Sequence, residues 1–275
     1  AHRKTAMLFT TLSAPSLPLR NCIVMAPMTL SRAVEANTPN ALMAAYYGQR
    51  ASAGLIVTEG TSPSPNGLGY ARIPGLFNEA HVRGWKLVTD AVHAKGGKIF
   101  VQLMHTGRVG HVANLPVGAE VIGPTAEVCP GEMHTDTQGM QSHSVPRAMT
   151  TDDIAHAVAE YARSAQLAME AGFDGVELHA ANGYLIEQFL NANVNHRNDA
   201  YGDGIKGRNR FALEVVRATA AAIGADRVGI RLSPCGVFNG MGAYSDVEAQ
   251  YLALTEELAQ LGIVYVHLLD HSALG

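Results

Sequence analysis

Six short stretches of the chain are almost wholly apolar: residues 22–27 (CIVMAP), 55–60 (LIVTEG), 98–104 (KIFVQLM), 173–179 (FDGVELH), 227–233 (RVGIRLS) and 264–270 (VYVHLLD). A strand with one wet face alternates apolar and polar residues. These do not alternate, so they read as parallel strands buried on both faces. Longer stretches with helical period separate them: NALMAAYYGQRAS before Gly54, EAHVRGWKLVTDAVHAKGG, TTDDIAHAVAEYARSAQLAMEAG, GRNRFALEVVRATAAAIG and SDVEAQYLALTEELAQLG. Gly54 is a natural C-terminal stop, and Thr150 and Asp153 stand at capping-box spacing. Strand–helix alternation of this kind predicts a parallel α/β protein. No glycine-rich dinucleotide fingerprint follows the first strand, which favours a (β/α)8 TIM barrel over a Rossmann sheet. Only residues 105–149 break the rhythm, with Gly, Pro, His and Thr and no helical period. A loop this long in a compact domain is usually functional. It follows the third strand, on the face where barrels keep their chemistry, and it predicts a lid with its own hairpin.

Composition narrows the function classes. The 275 residues are 47% apolar, with a formal charge of −4, which gives no electrostatic reason to expect a nucleic acid partner. No apolar run reaches the roughly 20 residues of a membrane span, so no membrane partner is expected. Cys22, Cys129 and Cys235 are widely spaced and odd in number, which suggests neither a disulfide framework nor a cysteine zinc site. A reducing cytoplasm is the default expectation. The opening AHRKTA precedes Met7, a natural start, so residues 1–6 read as an expression or processing remnant and residues 7–275 as one barrel.

The strand ends hold the candidate chemistry. In a barrel the C-terminal ends of the strands converge on one mouth. Here those ends carry Pro27, Met28 and Thr29; Glu59 and Gly60; Gln102 and His105; His179, Asn182 and Tyr184; Arg231; and His267, Asp270 and His271. No lysine ends a strand, since Lys98 begins one, so Schiff-base chemistry is not expected. No HxH or HExxH pair appears, so no metal is expected and a metal-dependent hydrolase is poorly supported despite 12 histidines. What remains is neutral hydrogen-bonding groups with one Arg and one Tyr. That set suits a flat, polar, partly anionic ring system.

The stretch HAANGYLIEQFLNANVNHRNDAYG (179–202), with GRNRF just after it, resembles the signature of the old yellow enzyme family, the FMN-dependent ene-reductases. NCIVMAPMTLSRA, YYGQRASAGLIVTEGT, GWKLVTDAVHAKGGKIFVQLMHTGR and VGIRLSP resemble the family's other blocks, in the family's order. The resemblance implies a (β/α)8 barrel with FMN at its mouth, reduced by NADPH or NADH, and a small-molecule activated alkene as substrate. It implies that His179 and Asn182 bind the substrate's carbonyl or nitro oxygen and stabilise the developing negative charge. It implies that Tyr184 gives the proton to the α-carbon. Arg231 and Gln102 would meet the pyrimidine edge of the flavin, Thr29 would contact its carbonyl, and Pro27, Met28 and Gly60 would complete the cofactor-binding surface. Tyr70 and Met104 are candidates for substrate contact.

The sequence also departs from the family's pattern. Met104 stands where many relatives carry Trp, which predicts a wider pocket wall. Asp203 replaces the second Gly of the usual YGG turn. Only six of the eight βα units are evident, and the units that would carry the FMN phosphate loops are not among them. The expectation is therefore a second polypeptide supplying strands 7–8, or a split barrel. The alternative is a non-catalytic barrel fragment that acts as an assembly component. Lone histidines and strand-end amides are also common as satisfied core groups, and Arg231 could be a structural ion-pair partner of Glu177 or Asp270.

Overall fold

The computed structural model describes residues 7–14 and 16–270. The proposed remnant at 1–6 and the strand-end candidate His271 lie outside them. In chain order the main elements are β1 (Val24–Met25), α1 (Ala41–Gly48), β2 (Leu55–Thr61), α2 (Glu79–His93), β3 (Ile99–Leu103), β4 (Ile122–Gly123), β5 (Glu132–Thr135), β6 (Gly139–Ser142), β7 (Arg147–Ala148), α3 (Thr151–Glu170), β8 (Gly175–Ala180), α4 (Leu185–Leu190), α5 (Gly204–Ile223), β9 (Val228–Leu232), α6 (Val247–Leu261) and β10 (Tyr265–Leu268).

The six apolar stretches do form one parallel sheet, in the order β1-β2-β3-β8-β9-β10. Four strands, β2, β3, β8 and β9, are buried along their whole length, as strands covered on both faces must be. The outer two differ. β1 is only two residues long, and the side chains of β10 alternate between half-buried and exposed. Between these two edges lies a cavity of about 400 Å³, lined by Leu12, Leu17, Leu55, Val57, Val264 and Tyr265 among others. The curved sheet is thus a barrel wall with an apolar gap between β1 and β10.

The helices end where side-chain chemistry ends them. Asn40 Oδ1 accepts from the backbone N–H groups of Leu42 and Met43 at the start of α1. Thr150 and Asp153 form the expected capping box at the start of α3. The helix faces lock onto the sheet through one large core, in which Trp85 is fully buried between Tyr47 and Phe173 and donates its indole N–H to the Gly75 carbonyl.

Residues 105–149 contain an antiparallel hairpin, β5 with β6, and a parallel two-residue pairing of β4 with β7. Leu68, Ile73, Val109 and Cys129 pack there in a small separate core with Met104 and Tyr184. This segment is therefore tied to the mouth of the barrel rather than loose above it. The Asp203 departure is absorbed locally: Asp203 precedes α5 with ordinary backbone angles, and Gly204 takes the left-handed conformation (φ +59°).

Candidate active site

Strand register assembles the site. In neighbouring parallel strands, residues paired across the ladder point the same way. Gly60 pairs with Gln102 and Gln102 with Glu177; two residues further on, His179 pairs with Arg231 and Arg231 with His267. A bulge between Val57 and Gly60 shifts the β2–β3 register just before the first of these rows. The two rows end at a small cavity of about 70 Å³, lined by Pro27, Met28, Thr29, Gly60, Gln102, Met104, His179, Asn182, Tyr184 and Arg231. These residues come from five separate segments of the chain. Tyr70 stands behind them and accepts a 3.1 Å hydrogen bond from the Tyr184 hydroxyl. Tyr184 in turn meets His179 edge to face, with ring centroids 4.8 Å apart.

The electrostatics give each group a fixed state. His179 is buried, and its pKa lies well below the ordinary histidine value, first through burial and then through repulsion from Arg231 and His267. The ring is therefore neutral. Its Nδ1 accepts from the Ala181 N–H at 3.3 Å, so the ring proton sits on Nε2, a donor available to the cavity. Asn182 spends both backbone groups elsewhere: its N–H donates to Ser233 Oγ at 2.9 Å, and its carbonyl accepts from Asn239 Nδ2 at 2.8 Å. Its carboxamide is the part that lines the cavity. Burial first, and then Tyr70, raise the Tyr184 phenol well above its ordinary pKa of 10, so it stays protonated.

The opposite wall is built to meet a flat heterocycle. Arg231 is 8% exposed, and its Nε is buried without a hydrogen-bond partner among the described residues. Its pKa is lowered by burial, against the pull of Glu177. No hydrogen-bonded ion pair to Glu177 forms; that carboxylate instead accepts from Gln102 Nε2 (2.7 Å), the Tyr265 hydroxyl (3.0 Å) and His267 Nδ1 (3.0 Å). Because Glu177 takes one N–H of Gln102, the amide oxygen and second N–H of Gln102 remain to be offered to the cavity. An unmatched guanidinium N–H, an amide with both polarities and the exposed hydroxyl of Thr29 fit the donor and acceptor edge of an FMN ring. Gly60 contributes by what it lacks: a Cβ there would lie 2.5 Å from Met104 Sδ.

The strand-end candidates His105 and His267 serve other ends, as does the neighbouring Arg108. His105 is fully buried, with its pKa pushed down to about 3 by burial, and its Nδ1 accepts from the Gly107 N–H at 3.0 Å. Arg108 is buried against Glu127 and the Asn239 carbonyl. Both brace the 105–149 segment and neither lines the cavity. His267 holds Glu177.

Sequence reasoning gave no role to three supporting groups. Glu59 is buried, with its pKa pushed up to about 7 mainly by burial, and it accepts from the Leu30 N–H at 3.0 Å. It thereby anchors the loop that carries Thr29. Glu187, also pushed up to about 7 by burial, and Ser233 sit beneath the Asn182 turn. A charged residue inside an apolar run was the available signal for Glu59, in LIVTEG, and for Glu187, in LIEQFL.

Comparison with known proteins identifies the family. The profile of the NADH:flavin oxidoreductase / NADH oxidase family matches residues 7–271. The chain is 44% identical over 272 residues to the chanoclavine-I aldehyde reductase fgaOx3 of Penicillium roqueforti, covering 98% of this chain and 71% of that one. It is 42% identical over 259 residues to a "probable flavin mononucleotide-dependent alkene reductase" of Leishmania infantum, covering 92% of this chain and 69% of the relative. The solved old yellow enzyme homologue from Zymomonas mobilis superposes with a TM-score of 0.92 at 39% identity, over 96% of this chain and 73% of that one. Among the described residues no helix is long and apolar enough to cross a membrane. With a parallel barrel wall, a neutral histidine and a buried guanidinium around one cavity, this chain belongs to the NADH:flavin oxidoreductase / NADH oxidase family, that of the old yellow enzymes.

Proposed function

We propose that this protein reduces the C=C bond of activated alkenes such as enones, nitroalkenes and maleimides, in a reducing cytoplasm and with NADPH or NADH as the source of electrons. Bound FMN supplies the hydride. Arg231, Gln102 and Thr29 hold the ring, and the fixed positive charge of Arg231 favours its electron-rich state. The neutral His179 donates from Nε2, and Asn182 from its carboxamide, to the substrate's carbonyl or nitro oxygen. These donors are in place before the reaction and meet the charge as it develops on that oxygen. Tyr184 delivers the proton to the α-carbon, and Tyr70 holds the phenolic hydroxyl at 3.1 Å. The 105–149 segment acts as the lid, and Met104 and Tyr70 shape the substrate side.

One observation carries this reading: His179, Asn182, Tyr184 and Arg231 line a single cavity, with His179 neutral. In the absence of air, NADPH or NADH should bleach the visible flavin band of the loaded protein, and cyclohexenone should restore it. A flavin that bleaches but stays reduced in the presence of enones and nitroalkenes refutes the substrate class.

The apolar gap between β1 and β10 favours a second reading of how flavin is retained. Further βα structure packed on those edges would carry the phosphate-binding loops and close the wall. On this reading, residues 1–275 alone lose flavin on desalting. A stoichiometrically yellow desalted chain refutes it.

A further inference from the structure

Asn182 adopts the left-handed conformation, with φ at 57°, and Gly183 follows at 75°. Asparagine tolerates this region better than most residues but does not choose it unaided. The turn is held from below. The Gly183 N–H donates to Glu187 Oε2 at 2.5 Å. The Asn182 N–H donates to Ser233 Oγ, and the Ser233 hydroxyl donates to Glu187 Oε1 at 2.7 Å. Glu187 is 2% exposed on the short helix α4, and the Tyr251 hydroxyl reaches it from α6 at 3.5 Å. The neighbouring Gln188 takes the other polarity, donating to the Gly183 carbonyl at 2.7 Å and to the Thr106 carbonyl at 3.0 Å.

We propose that Glu187, acting through Ser233, is a positioning residue of the active site: its two oxygens take the consecutive N–H groups of the Asn182–Gly183 turn, one directly and one through the Ser233 hydroxyl, and so aim the Asn182 carboxamide at the substrate oxygen. Gly183 N–H and the Ser233 and Tyr251 hydroxyls all donate to Glu187, so it serves here in its ionised form, above its pKa of about 7, as a group that only accepts and accepts at two separate oxygens. Glutamine has one accepting oxygen. In the Glu187→Gln variant, the side chain must either leave the Gly183 N–H unmatched or turn its NH2 group on Ser233 and reverse that hydrogen bond. The two strand ends that bring His179 and Ser233 together, β8 and β9, are thereby fixed relative to the turn. The inference rests on the proposed role of Asn182 in binding the substrate oxygen.

The test uses Glu187→Gln and Ser233→Ala in the flavin-loaded protein, with two readouts. Amide hydrogen exchange of the 180–184 segment reads the turn directly and needs no turnover. It should rise about tenfold or more in both variants, while the β3 and β9 amides keep their protection. Steady-state reduction of cyclohexenone should show KM raised about tenfold, with a smaller fall in kcat. If Glu187→Gln fails to fold, Ser233→Ala alone decides the matter. Wild-type exchange at 180–184 in the folded variants overturns the inference, as does an unchanged KM alongside faster exchange. A wild-type protein that binds flavin yet leaves cyclohexenone unreduced overturns instead the function on which the inference rests; the exchange result then stands alone as a statement about the turn.

Discussion

Replacing Glu59 by glutamine isolates one buried proton. Folded Glu59, fully buried, holds its proton up to about pH 7, whereas its ordinary value is 4.5. Burial is the main cause, opposed by the bonds from Leu30 N–H and the Tyr47 hydroxyl. Between those two values the folded state binds more protons than the unfolded one, so the stability contributed by this group falls as pH rises. Carrying the linkage from pH 5 to pH 8 gives a loss of about 2–3 kcal/mol. The glutamine of the Glu59→Gln variant would not titrate, yet it could still accept from Leu30. The advantage of wild type over Glu59→Gln should therefore shrink by about 2–3 kcal/mol from pH 5 to pH 8. Buried histidines act the other way: His105, held down to about 3, and His179 destabilise the fold as pH falls below the ordinary histidine value. That contribution is common to both proteins and cancels in their difference. Asp153 and Asp174, whose pKa values are lowered by ion pairs, act below this window. Urea unfolding followed by the single Trp, the buried Trp85, provides the assay. A difference that stays constant between the two pH values would show that Glu59 is ionised in the fold and would refute the reasoning. Leu30 follows Thr29 directly, so the same bond is what steadies the loop that carries Thr29.

Further outcomes follow from other parts of the structure. Tyr184→Phe removes only the hydroxyl that bonds Tyr70, so it should cost about 1 kcal/mol of stability, yet slow flavin reoxidation by cyclohexenone about a hundredfold or more. Stopped-flow comparison with flavin reduction, which should change little, checks this; equal slowing of both steps removes Tyr184 from the acid role. Gly60→Ala would push the flexible Met104 end from 2.5 Å contact into the cavity, so FMN affinity by fluorescence titration should fall and Gly60→Ala/Met104→Ala should recover it. Trp85→Ala empties a fully buried site between Tyr47 and Phe173 and should destabilise the fold by about 3–5 kcal/mol in urea melts followed by circular dichroism.

Much of the molecule was legible in the order of residues alone, and the reason is local. Strands buried on both faces need continuous apolar runs, so β2, β3, β8 and β9 announce themselves. Helix caps are decided within four residues, so the Thr150–Asp153 box was readable. The strand-end residues around the cavity were legible because their motif blocks resemble a family, and because a barrel sends its strand ends to one place. What stayed hidden depends on groups far apart in the chain. A six-residue helix such as α4 is too short to show a period. The hydrogen bond from Tyr184 to Tyr70 spans 114 positions, and the bond from Ser233 to Glu187 spans 46. Whether His179 is neutral, and whether Glu59 and Glu187 hold protons near pH 7, follows from burial rather than from residue type. The chain order by itself thus determined which elements form and which chemical groups sit at their ends, because those choices rest on neighbours within a few residues. Only the tertiary structure decided how those groups are aimed and charged, because that depends on which distant side chains exclude water from them.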